Sequence, residues 1–145
     1  MAITFTNVFK DKILDTIRKF LTTEFAGAIT VYTGTFKNMG NQSIRLTPVG
    51  NDLVTQTSGL GELRDYIVDI GYYFKEKTLK RDVWEHILRQ VSRIENLFDD
   101  NRNNTYLDGR LVSMRINEKT AEEEEIEGLN VVKWEFRGKY FSNQS

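Results

Sequence analysis

His86 is the only histidine in the chain, and there is no cysteine. A lone imidazole can act as a general base near neutral pH, provided a second group supplies or receives the proton. His86 stands next to Glu85, with Arg89 and Gln90 one helical turn on, but no second histidine or cysteine exists to complete a dyad. No serine occupies a nucleophile-elbow pattern. His86 therefore reads as a surface histidine. Asp108, Glu135 and Lys139 come nearest to the acidic residues and lysine that gather around magnesium in nucleases, and their spacing fits no nuclease motif. Gly59 and Gly61 begin a GxG, but Arg64 stands where the third glycine of a dinucleotide fingerprint belongs, and the strand follows the glycines instead of preceding them. No catalytic, cofactor-binding or metal-binding residue is expected, and no cofactor.

Two further clusters carry charge or aromatic character. Glu122, Glu123, Glu124 and Glu125 are consecutive. Calcium loops need ligands at fixed spacing around a glycine turn, which this run lacks. Like charges repel, so the run reads as a solvated loop. In KWEFRGKYF, cations flank aromatics as they do on single-strand-binding platforms. Trp134, Phe136 and Tyr140 share one strand face opposite the charges, however, which assigns them to a core. Phe141 falls on the charged side.

The elements that must position these residues follow from periodicity. Residues 7–24 predict a helix, with Phe9, Ile13, Ile17 and Phe20 at spacings of three and four, joined by Leu14 and Leu21. Thr6 or Asn7 can cap its start, and Gly27 stands where a left-handed residue closes a helix. AITVYTG predicts a strand. SIRLTPVGNDLVTQT predicts a hairpin, with Pro48, Gly50 and Asn51 as the turn.

ELRDYIVDIGYYFKEK alternates strictly. Tyr66, Val68, Ile70, Tyr72 and Phe74 take one face; Ile67, Asp69, Gly71, Tyr73 and Lys75 take the other. Its tail beyond Tyr72 is expected to overhang the sheet. Residues 82–99 predict the second helix, striped by Val83, Trp84, Ile87, Leu88, Val91, Ile94, Leu97 and Phe98. Asp82 with Glu85 fits a capping pair, Thr78 is a competing cap, and Glu85 can pair with Arg89. RLVSMRIN and NVVKWEFRGKYF predict the last two strands. In the first of these, Leu111, Ser113 and Arg115 oppose Val112, Met114 and Ile116.

The chain of 145 residues suits one α+β domain over 1–145, a mixed or mostly antiparallel sheet of about five strands with two amphipathic helices on one face. Hydrophobic residues make up 39% and charged residues 28%, a globular balance, and the net charge of -1 offers no basic field for nucleic acid or anionic lipid. The N-terminus lacks a secretory pattern, and no apolar run reaches the roughly 20 residues that span a bilayer. A product made in the cytoplasm is expected, with export only inside something larger, such as a virion.

The order helix, strand, polar hairpin, DYIVDIGYYFKEK, the helix DVWEHILRQVSRIENLF, a long loop and VVKWEFRGKYF resembles the tail-terminator proteins of long-tailed bacteriophages, the family of the lambda gene U product. The resemblance covers nearly the whole chain and rests on element order, size and hydrophobic pattern. It implies a structural protein of the virion neck that forms a ring, sixfold in the family. The ring caps the tail tube, stops its polymerisation and docks to the head connector or stopper. A contractile tail would add the sheath protein as a partner, and DNA would pass through the lumen without specific binding. No enzymatic activity and no membrane are implied.

Ring subunits meet head to tail and need two different surfaces. Exposed strand edges serve that purpose, because unpaired backbone groups accept another strand. The candidate interface residues are Ile44, Arg45 and Leu53 in the predicted hairpin, Tyr73 and Lys75 in the long strand, and Phe141. The acidic loop Glu122–Glu125 is the candidate for a channel-facing position. Another neck or tail-completion component is the near alternative, and a small magnesium-dependent nuclease is the alternative from a different class.

Overall fold

The computed structural model describes residues 8–26, 28–33, 42–57, 61–75, 81–101, 103–104, 107–116 and 129–142. A π-helical segment, Val8–Leu14, runs directly into helix α1, Asp15–Phe25. Lys10 reaches Asp15 at 3.2 Å and Asp11 at 3.4 Å across this widened turn, at five residues' separation and one. Ile13, Leu14, Ile17, Leu21 and Phe25 are buried, so the apolar spacing of the sequence becomes the inward face. The helix runs one residue past its expected end, because Phe25 is needed in the core. The residue that closes it in the left-handed conformation is Ala26, at φ 50°; Gly27, the expected closing residue, lies outside the described residues. A non-glycine residue in that conformation costs about 1–2 kcal/mol, and burial of Phe25 offsets it.

Six strands form one sheet: β1 Thr30–Thr33, β2 Gln42–Thr57, β3 Gly61–Lys75, β4 Asn103–Asn104, β5 Leu107–Ile116 and β6 Leu129–Ser142. Helix α2, Arg81–Asp100, lies between β3 and β4 in the chain. The spatial order is β1-β2-β3-β6-β5-β4. Only β1 and β2 run parallel; every other neighbouring pair is antiparallel. The architecture is the expected α+β sheet with two helices on one face. β3 is the central strand, paired along its whole length with β2 on one side and β6 on the other.

Three expectations about the strands need correction. Residues 43–57 are not a hairpin but part of the single 16-residue strand β2. The 15-residue β3 offers it an unbroken partner, and the turn-forming residues are absorbed as irregularities between Pro48 and Gly50 and between Leu53 and Thr55. Pro48 lies beyond the four residues that pair with β1, at a bulge on an outer strand, where a missing N–H is tolerated. The tail of β3 does not overhang: Phe74 pairs with Gln42 and Asn130, and Lys75 with Leu129. In β5 the irregularity between Leu111 and Ser113 makes Val112 the extra residue. Leu111 therefore shares the helix-side face with Met114 and Ile116, and Ser113 and Arg115 take the other.

The core lies between the sheet and the helices. Tyr66, Val68, Ile70, Tyr72 and Phe74 from β3 meet Val132, Trp134 and Phe136 from β6, Ile44 and Leu46 from β2, and Ile87, Val91, Ile94 and Phe98 from α2. Phe98 and Phe136 pack with ring centroids 5.7 Å apart, and Phe9 meets Tyr66 edge-on at 5.1 Å. Leu88, expected in the α2 stripe, is exposed. Glu85 pairs with Arg81 at 3.2 Å instead of Arg89, because the helix begins at Arg81 and puts Asp82 inside its first turn. Asn101 closes the far end through its side chain and backbone N–H, both donating to the Leu97 carbonyl.

Candidate functional site

No group of three or more potential metal ligands is present among the described residues, and no described helix is long and apolar enough to cross a membrane. His86 is exposed on α2. Glu135 receives a hydrogen bond from Arg137 at 3.1 Å, and Arg137 also faces Asp65 at 3.5 Å. Glu135 and then Asp65 raise the Arg137 guanidinium above its ordinary value. Lys139 pairs in register with Asp108, but Glu135 lies four residues away, about 13 Å along the strand at the usual rise per residue. These three residues are thus not gathered around one point. A groove of about 680 Å³ follows the solvent side of α2, lined by Glu24, Leu88, Arg89, Arg93 and Asp100 among others. Ser92 and Glu85 also line it.

What the sheet does offer is a pair of open edges at opposite corners. β1 covers only Ser43–Leu46 of β2. Among the described residues no strand lies beyond β2 from Thr47 to Thr57. At the other side of the sheet β4 covers only Leu107 and Asp108 of β5. No described strand lies beyond β5 from Gly109 to Ile116. Following the register across, Asp52 aligns with Asp65, Lys139, Asp108 and Asn103, so β4 caps the row that is open at β2. Arg115 aligns with Lys133, Gly71, Arg45 and Tyr32, so β1 caps the row that is open at β5. The exposed large apolar residues of the sheet fall on these two strands: Val49, Leu53 and Val54 on β2, and Val112, Met114 and Ile116 on β5.

The sequence-derived interface candidates distribute unevenly over this geometry. Leu53 is 49% exposed on the open β2 edge. Lys75 is exposed at the end of β3. Ile44 is fully buried under the helices, and Tyr73 is 1% exposed on the opposite face, so neither has surface to offer in the single chain. Tyr73 is held internally, its hydroxyl accepting from Arg45 at 2.7 Å with the guanidinium 5.0 Å from the ring centroid. Phe141 pairs with Leu63 within the sheet, and its side chain lies outside the described residues. Glu122–Glu125 lie outside the described residues altogether. Sequence reasoning missed Val49, Val54, Val112, Met114 and Ile116. The available signal was apolar residues in strands that are otherwise polar on the same stretch.

No family model matches the chain, and no curated protein sequence does. Among solved structures, 94% of the chain aligns with the whole of a chain from the virion of a native gene transfer agent particle, at 11% identity and a TM-score of 0.41. The chain also aligns over 99% of its length with 60% of a chain from a structure of an extracellular contractile injection system, the PVC sheath/tube terminator in its extended state, at 8% identity and a TM-score of 0.46.

Proposed function

We propose that this chain is a structural protein of a phage-like tail, a ring-forming terminator that caps the tail tube, ends its polymerisation and presents a docking surface to the head connector. Its partners in this role are further copies of itself, the tube protein and the connector or stopper, with the sheath protein added where the tail contracts. Catalysis plays no part. The observation that carries the reading is the pair of different edges left open, among the described residues, on one sheet. A head-to-tail ring requires two unlike surfaces on every copy, and an uncovered strand with apolar side chains is a surface that proteins otherwise protect. The order of elements in the sequence supports the same reading.

Electron microscopy of the concentrated protein, alone and with purified tail tubes, tests it. The expected result is rings with a central hole, or caps of the same outline at tube ends. A chain that stays monomeric and leaves tubes bare, or one that cleaves DNA with magnesium and loses that activity on Glu135→Gln, would overturn it.

A further inference from the structure

We propose that neighbouring copies join edge to edge, the open stretch of β2 in one copy pairing antiparallel with the open stretch of β5 in the next, Leu53 opposite Met114 and Asp52 opposite Arg115. This rests on the ring reading above and names the surfaces that close the ring.

Direction comes first. β2 is antiparallel to β3, β3 to β6, and β6 to β5, so β5 runs opposite to β2. Copies arranged side by side around an axis therefore bring β2 and β5 together antiparallel, the pairing whose hydrogen bonds lie perpendicular to the strands. Regularity comes second. The irregularities in β2 leave Gly50–Leu53 as an even stretch between them, and the one in β5 leaves Ser113–Ile116 as an even stretch beyond it. In the proposed register they overlap over three pairs, Asn51 with Ile116, Asp52 with Arg115 and Leu53 with Met114. Nothing among the described residues stands within 4 Å of the position a Gly50 Cβ would take, so the sheet face away from the helices is uncovered there.

Side-chain chemistry then selects the register. Leu53 aligns with Arg64 and Tyr140, on the helix-side face; Met114 aligns with Trp134 and Ile116 with Val132, on that same face. Asp52 aligns with Asp65 and Arg115 with Lys133, on the other face. Setting Leu53 against Met114 puts apolar against apolar on one side of the extended sheet. The same register sets the carboxylate of Asp52 against the guanidinium of Arg115 on the other side. Asp52 is the only charged residue of β2 from Thr47 to Thr57, and the charged residues of β5 from Gly109 to Ile116 are both arginines. Two copies meeting β2 to β2 would oppose acid with acid, and β5 to β5 would oppose base with base. The charges favour unlike edges, which is what a ring needs and a two-fold dimer does not.

The chain has no cysteine, so introduced thiols report only the contact they are placed to report. Leu53→Cys and Met114→Cys variants are prepared separately, their folds compared with the parent by circular dichroism, and then mixed under mild oxidation. The proposal expects crosslinked pairs in the mixture and at least tenfold fewer in either variant alone. Asp52→Arg and Arg115→Asp each weaken self-association by about tenfold, and the double variant recovers it. Rings that form in the microscope without the Leu53–Met114 crosslink would overturn the edge pairing and leave the ring reading standing. Crosslinked pairs in the mixture, from a parent protein that never forms rings in the microscope, would do the reverse. A parent protein that neither self-associates nor crosslinks at any concentration, with or without tail tubes, removes both.

Discussion

The ring of Tyr73 lies on Gly71, two residues earlier on the same face of β3, with its Cε2 atom 2.5 Å from where a Gly71 Cβ would stand. This explains how a tyrosine opposite the helices comes to be buried: glycine leaves the floor on which the ring rests, and Arg45 fixes the hydroxyl from the neighbouring strand. Gly71→Ala is expected to lift the ring and break that bond, with a loss of about 1–3 kcal/mol typical of overpacking. Tyr73→Phe, which keeps the ring and loses the hydroxyl, is expected to cost about 1.5–3 kcal/mol, the range for a hydrogen bond with a charged partner. Urea unfolding of the two variants, showing the glycine change to be no less damaging, checks the arrangement.

A second glycine makes room for a different ring. Gly109 of β5 pairs with Gly138 of β6, and a methyl group at residue 109 would run into the Phe136 ring and approach the Gly138 Cα at 3.2 Å. Phe136 is itself wedged against Phe98 of α2. Gly109→Ala is therefore expected to destabilise by about 1–3 kcal/mol. Combining it with Phe136→Leu, which shortens the obstructing side chain, should cost less than the sum of the two single changes, as a double-mutant cycle would show.

Arg93 joins the two helices. Its Nε donates to the Glu24 carboxylate and a terminal nitrogen to the Glu24 carbonyl, both at 2.7 Å, while the guanidinium lies 4.5 Å from the centroid of Phe25. An exposed ion pair alone is worth at most about 1 kcal/mol. The carbonyl bond and the ring contact add to it, and Arg93→Ala is expected to lose about 1–2 kcal/mol. Arg93→Lys should recover only part of this, because an ammonium cannot make the forked contact. Thermal unfolding at low and high salt separates the contributions, the ion-pair share shrinking with salt.

Tyr72 ties the stability of the fold to alkaline pH. Its hydroxyl donates to Gln42 at 2.5 Å, and burial pushes its pKa up to about 12 from an ordinary 10.0. The folded chain thus keeps a proton that the unfolded chain releases. The stabilisation is fully present below pH 10.0 and is lost as pH rises through about 12. It amounts to about 2–3 kcal/mol over that window. In Tyr72→Phe the fall of stability between those pH values should be correspondingly shallower, measured by urea titrations at successive pH.

Which parts of this structure could be read from the sequence depends on who decides each feature. The alternation from Tyr66 to Phe74 and the spacing of Ile87, Val91, Ile94 and Phe98 are decided by one burying face each, and both survive unchanged. β2 was not legible in this way. Pro48, Gly50 and Asn51 carry strong local turn chemistry, and only the unbroken partner β3 converts it into bulges. Val112 shifts Leu111 to the other face for the same reason, since the extra residue is defined against β6. Tyr73 was expected at a surface because of its place in the alternation; its burial depends on Arg45, 28 residues away. Leu53 was named as part of a predicted hairpin, whereas its exposure belongs to the edge of a single strand; Met114 was not named, because its exposure follows from β5 being the last long strand on its side.

In a ring closed by the proposed β2–β5 pairing, the diagonal placement of β1 and β4 would decide how copies stack around the axis. The row of Asp52 and the row of Arg115 meet β3 at Asp65 and Gly71, six residues apart. At the usual rise per residue this is a vertical offset of about 20 Å. Joining the two rows across four strand spacings, about 19 Å sideways, leans every strand about 45° from the ring axis, close to the upper end of the lean found in closed barrels. The two short strands work as keys cut at opposite corners: a neighbour that arrives level strikes one of them. In a ring closed as proposed, a copy slid down by this offset clears both short strands, and the lean of the strands would follow from the outline of a single subunit.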